Sequence, residues 1–193
     1  FIYDLRNGYF NMEILDIVDE MGNPTGQTVE RDIAHEEGIM HRTSHVWLVR
    51  KKQGRIQVLL QKRSETKESF PGCYDISSAG HIPAGMGFVE SAIKELEEEL
   101  GISACDGDLI FCGDRIVIWD DFFCFKPFHD RQYSRVFILW RDMAEDEFIL
   151  EKEEIESVIW IDLDECIAAV ENNKIKHCIY PDELKMVKDA CGS

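Results

Sequence analysis

Between Glu90 and Gly101 the chain reads Glu-Ser-Ala-Ile-Lys-Glu-Leu-Glu-Glu-Glu-Leu-Gly. Wound as a helix at about 100° per residue, Glu95, Glu98 and Glu99 fall within an arc of about 100°, at i, i+3 and i+4. Glu97 points elsewhere, and Val89, Ala92, Ile93, Leu96 and Leu100 form an apolar stripe beside the arc. Such a helix is anchored next to its own charges. Three carboxylates on one face repel one another, by some tenths of a kcal/mol per exposed pair and more when buried. A hard divalent cation offsets that repulsion, because Mg²⁺ and Mn²⁺ select carboxylate and carbonyl oxygens and Mg²⁺ binds readily through substrate phosphates. A solvated acidic face is the other reading of the same run. The preceding Ser78-Ala-Gly-His-Ile-Pro-Ala-Gly-Met-Gly-Phe-Val favours the cation, since a glycine-dense turn at a helix N-terminus lets backbone approach an ion or a phosphate.

The elements that must position this helix are legible in outline. Met12 to Asp19 alternates apolar and polar, and Gly22-Asn23-Pro24-Thr25-Gly26 turns it into a second extended run, an opening hairpin. His45 to Arg50 and Arg55 to Gln61 have hairpin spacing, Tyr74 to Ala79 is short and extended, and Glu90 to Leu100 is a helix stopped by Gly101. Strands follow around Leu109 to Trp119, Ser134 to Arg141 and Ser157 to Ile161, with helices over Leu163 to Val170 and Asp182 to Ala190. The order predicts an α/β sandwich with helices covering a sheet.

Composition bounds the function. The 193 residues carry 38 acidic and 21 basic side chains, a formal net charge of −17, which excludes charge-driven binding to nucleic-acid polymers or to anionic membranes. No apolar run reaches the 18 or more residues of a membrane span. Seven cysteines, an odd number without a C-x-x-C pair, argue against a disulfide framework and a structural zinc site, and for a cytoplasmic, reducing compartment. One domain is expected over residues 12–193, with residues 1–11 an extension of no functional weight.

Residues 80–102 resemble the box of the Nudix hydrolases, G-x5-E-x7-R-E-U-x-E-E-x-G-U with U apolar. The match falls on Gly80, Glu95, Leu96, Glu98, Glu99, Gly101 and Ile102, with Lys94 in place of the Arg and Met86 in place of the first Glu. The resemblance implies a Nudix-type α/β/α sandwich around a mixed central sheet, and cleavage of a diphosphate linkage with Mg²⁺ or Mn²⁺ held by Glu95, Glu98, Glu99 and the carbonyl of Gly80. Glu98 is the candidate for the most central carboxylate. The cations would neutralise phosphoryl oxygens and activate a water. The family's first Glu usually pairs with the box Arg to hold the loop, so Met86 with Lys94 implies a differently fastened loop.

Outside the box, Met40-His41-Arg42, the run QKRSETKESFPGCYD and the Ser-x-Gly-His start are similar to the branch that includes isopentenyl-diphosphate isomerase. Those isomerases transfer a proton with a Cys just before the Gly-His; here it is Ala79, which cannot, so hydrolysis is favoured over isomerisation. They also use two N-terminal His and the box His for a second metal. His35, His41, His45 and His81 are weighed on that account against ordinary hydrogen-bonded histidines, with His81 keeping the best case as a substrate contact. Arg63 and Lys67 are candidates for gripping substrate phosphates. Glu153, Glu154 or Glu156 could supply an additional base. Trp119, Phe122, Phe123, Phe125 and Phe128 could stack a ring, though core packing is the expectation.

The expected function is hydrolysis of a nucleoside diphosphate derivative or related organic pyrophosphate. A degenerate module that binds a diphosphate without cleaving it is the alternative. Partners are a small-molecule diphosphate and at most a second copy in a homodimer, not a nucleic-acid polymer or a membrane.

Overall fold

The computed structural model describes residues 13–67, 69–123 and 125–192, so the extension assigned to residues 1–11 lies outside the described residues. Strands β1 (Ile14–Val18) and β2 (Pro24–Glu30) form the expected opening hairpin, its turn held by the Asp19 carboxylate, which accepts the Met21 and Asn23 N–H groups at 2.9 Å. A short helix that the sequence reading passed over, α1 (Arg31–Glu37), follows directly and ends at Gly38 in the left-handed conformation, φ 68°. Seven residues without a capping side chain give little periodic signal.

The main sheet runs β5 (Tyr74–Asp75), β4 (Arg55–Arg63), β3 (His41–Lys52), β8 (Lys126–Trp140), β7 (Leu109–Phe123), with β6 (Ser78–His81) paired to β3 and β9 (Ile155–Asp162) to β4. The β3–β8 pairing is parallel and the rest antiparallel, which makes the sheet mixed, as expected. Strands β7 and β8 run well past their expected ends. Cross-strand pairs such as Asp114 with Arg135, 2.7 Å, and Asp120 with Arg131, 2.7 Å, hold a stretch that lacks apolar alternation.

Side-chain alternation splits the sheet into two cores. Val46, Leu48, Leu59, Phe137, Leu139 and Val158 pack under α2 (Phe88–Leu100) through Ala92, Leu96 and Leu100. Trp47, Val49, Val58, Leu60, Val136 and Ile138 face α3 (Leu163–Glu171) and α4 (Pro181–Gly192). Leu96 and Leu100 are fully buried, worth about 1.5–3 kcal/mol each, which outweighs the tenths of a kcal/mol by which neighbouring carboxylates on α2 repel. The helix can therefore afford its acidic face. No described helix is long and apolar enough to cross a membrane, and the six described cysteines are free thiols.

Candidate active site

Antiparallel pairing sets Gly80 of β6 opposite Ser44 of β3 and brings it under α2. A Cβ at Gly80 would stand 2.4 Å from Glu95 Cδ, so the glycine is what lets backbone and carboxylate meet. One turn on, Glu99 is 7% exposed and its Oε2 accepts the Ala79 N–H at 3.3 Å. Burial pushes its pKa up to about 8, and the nearby Glu95 and Glu154 carboxylates push the same way. Burial also raises Glu95, against the pull of Lys94. Glu98 is half exposed and receives the Lys94 ammonium at 2.6 Å, and the same ammonium lies 3.4 Å from Glu95. The three acids thus do share one face, with Gly80 beneath it. Oxygen donors only, crowded and with a single lysine shared between two of them, fit a hard divalent cation.

The segment after Phe148 closes the other side. The Ile149 and Glu151 N–H groups donate at 3.1 Å to the carbonyls of Leu100 and Glu99, satisfying the end of α2. This seats Glu151 and Glu154 beside the box. Burial raises the pKa of Glu151, and Glu154 and Glu98 add to it. Of the three acids considered as an extra base, Glu154 is the one near Glu99, and it is bonded to Lys67. Glu156 turns outward to Lys62 at 2.9 Å. Glu151 escaped the sequence reading, because only the backbone bond to α2 distinguishes it from the other acids of that run.

Arg63 does not present its guanidinium as expected. Nη1 donates to Asp75 at 3.0 Å, and Nε and Nη2 donate to the Ser69 carbonyl at 3.2 and 3.0 Å, so its donors are spent on holding their own loop. That loop instead presents Lys67 to the acids.

A second constellation adjoins the first through Gly80-His81. The ring nitrogens of His35 on α1, His41 on β3 and His81 on β6 lie within 4.8 Å of one another, with His81 Nε2 3.3 Å from His35 Nε2. Nδ1 of His35 and of His41 donates to the Arg31 and Ile39 carbonyls at 2.9 and 2.8 Å, which leaves each Nε2 with a lone pair. His41 Nε2 is buried without a partner, as is Asp130 Oδ1, 3.8 Å from His35 Nε2. Burial lowers all three histidines, His35 to about 4, and raises Asp130 to about 6. Neutral imidazoles and a carboxylate around unpartnered atoms can hold a cation of the Mn²⁺ or Zn²⁺ kind. His81 thus sits in this cluster, and His45 does not belong to it; its Nδ1 meets Glu183 at 3.0 Å. Phe128 stacks on His35 at 4.5 Å and joins Phe70, Trp119 and Phe123 in a half-exposed cluster outside both cores, while Phe122 and Phe125 are exposed.

The fold agrees with the comparison to known proteins. Residues 40–182 match the family profile of the NUDIX domain. The chain belongs to the Nudix family. It is 34% identical over 163 residues to an uncharacterized Nudix hydrolase of Clostridium acetobutylicum, covering 84% of this chain and 76% of that one. It is 37% identical over 158 residues to Nudix hydrolase 3 of Arabidopsis thaliana, covering 79% of this chain but 20% of that one. A crystal structure from Deinococcus radiodurans shares the fold with a TM-score of 0.66 at 20% identity, over 90% of this chain and 98% of its own. As a Nudix hydrolase the chain is a pyrophosphohydrolase acting on the acid anhydride of a small molecule, in a family that generally uses divalent metal ions.

Proposed function

We propose that the chain, as one catalytic domain over residues 12–193, hydrolyses the diphosphate linkage of a nucleoside diphosphate derivative or related organic pyrophosphate, with Mg²⁺ or Mn²⁺ held by Glu95, Glu98, Glu99 and the Gly80 carbonyl. The observation that carries this reading is Glu99, a buried carboxylate with a pKa of about 8 facing two further acids and no cationic partner of its own. A bound divalent cation supplies charge neutralisation at phosphoryl oxygens and a more acidic water. Glu98, held by the Lys94 ammonium at 2.6 Å, would be the carboxylate that aligns a water there. Glu154, near Glu99, and Glu151, near Glu98, are the candidates to take a proton, and Lys67, bonded to Glu154, is the candidate to meet a phosphate oxygen. The histidine cluster with Asp130 is read as a place for a second cation, supported by its two unpartnered buried atoms. The free thiols and acidic charge suit a cytoplasmic enzyme on small molecules.

Screening a panel of nucleoside diphosphate compounds with Mg²⁺ and with Mn²⁺ tests the reading. At least one should be cleaved in a metal-dependent way, and Glu98→Gln should remove that turnover. Tight binding without product over long incubation would show a binding module instead. Conversion of isopentenyl diphosphate to its dimethylallyl isomer would show that Ala79 does not prevent isomerisation.

A further inference from the structure

The box loop, residues 80–87, lacks the acid that its pattern carries at position 86, and Lys94 does not cross to it but pairs with Glu98 and Glu95. The loop is nevertheless tied. Asp16 on β1 accepts the Gly85 N–H at 2.9 Å and Arg42 Nη2 at 2.8 Å through the same oxygen, and Arg42 Nη2 also donates to the Met86 carbonyl at 3.1 Å. The Arg42 carbonyl accepts the Ile82 N–H at 3.0 Å, so one residue of β3 grips the loop at both ends. Its guanidinium further lies 5.3 Å from the ring of Phe88, the first residue of α2. Both side chains are nearly shut off from water, 9% exposed for Arg42 and 12% for Asp16. A charge-assisted pair in such a place is strong and directional, unlike a surface ion pair.

We propose that Asp16 and Arg42 are positioning residues for the hydrolysis, a clamp that does from β1 and β3 what an acid at position 86 with an arginine at position 94 would do from within the box. The clamp fixes the loop that carries Gly80, and thereby the distance between the Gly80 backbone and Glu95. It also gives the opening hairpin a part in the reaction, although residues 13–38 lie outside the stretch that matches the family profile.

The inference rests on hydrolysis at the box, so its test has one arm that reads activity and one that does not. In the first, Asp16→Ala should lower kcat about tenfold to a hundredfold, since a small misplacement of a catalytic group costs that much, with a smaller change in KM. Adding Met86→Glu and Lys94→Arg to Asp16→Ala, which restores the acid and the arginine at the box positions, should recover most of the loss. In the second, amide hydrogen exchange at Gly85 and Met86 should quicken at least tenfold in Asp16→Ala and slow again in the triple variant. Unchanged kcat in Asp16→Ala, or a loss that the triple variant leaves unrepaired while the protein stays folded, would overturn the clamp. If the wild type cleaves nothing, the functional reading fails, and unchanged exchange in Asp16→Ala would then overturn the clamp as well.

Discussion

Glu99 and Glu183 are both buried, 7% and 1% exposed, on opposite faces of one sheet, and they titrate in opposite directions. Burial drives both pKa values upward. At Glu183 that push is outweighed by His45 at 3.0 Å, by Arg115 at 2.9 Å and by the Trp47 indole at 2.8 Å, so its pKa falls below the ordinary value. Glu99 has the Ala79 N–H at 3.3 Å and the Ser78 hydroxyl nearby but no cation, and its pKa climbs to about 8. A buried carboxylate whose partners are supplied by the protein ties α4 to the sheet. One whose partners are missing is kept at a cost in stability, which selection tolerates where a ligand completes the shell.

The comparison can be broken at either end. Glu183→Ala takes the buried partner from Arg115 Nη1, from the His45 ring and from the Trp47 indole at once, while Arg115 keeps only Asp182, and the loss of stability in urea unfolding should be about 3–5 kcal/mol, the largest stability effect expected of any single change discussed. Glu98→Gln should cut metal-dependent turnover by about a hundredfold or more with the fold unchanged, measured by steady-state kinetics and circular dichroism. Glu99→Gln should do the reverse of Glu183→Ala, stabilising the metal-free protein by on the order of 2 kcal/mol near pH 8 while abolishing turnover.

The pH dependence follows from the same acid. Because the folded pKa of Glu99 is about 8 against an ordinary 4.5, its stabilising contribution is complete below about 4.5 and is lost as pH rises toward 8. His35 runs the other way, with a folded pKa of about 4 against 6.5, so its contribution is lost as pH falls from 6.5 toward 4. The two oppose each other between about 4.5 and 6.5, and above that only the Glu99 loss remains. Metal-free protein should therefore weaken steadily from pH 6.5 to 8 in thermal unfolding, and Glu99→Gln should flatten that slope. The smallest effect belongs to Lys94→Ala, which removes an exposed i, i+4 pair and should cost no more than about 0.5 kcal/mol.

The two constellations also differ in how far they could be read from the residues alone. Glu95, Glu98 and Glu99 sit on one helix, whose periodicity places them on one face before any tertiary contact is known. His35, His41, His81 and Asp130 come from α1, β3, β6 and β8, and they are brought together by the antiparallel β3–β6 pairing, which sets His81 opposite Thr43, and by the parallel β3–β8 pairing, which sets His41 beside Gln132. No spacing encodes those pairings. The same holds for Asp16 and Arg42, 26 positions apart, and for Glu151, which a backbone bond to α2 places. The β-rich apolar runs of β3, β4 and β8 made the sheet legible. The polar halves of β7 and β8 were not, because ion pairs across the ladder hold them together. Arg63 braces its own loop through Asp75 and Ser69, a role that the sequence does not distinguish from gripping a phosphate.

The central claim is that Glu99 is a carboxylate waiting for a divalent cation. Thermal unfolding of the wild type and of Glu99→Gln at pH 7.5, each with and without Mg²⁺, which selects oxygen donors over the imidazoles of the histidine cluster, tests it most directly. The account predicts that metal raises the wild-type midpoint by several degrees and leaves Glu99→Gln, already more stable without metal, nearly unmoved. Equal metal-induced shifts in the two proteins, or none in the wild type, would contradict it.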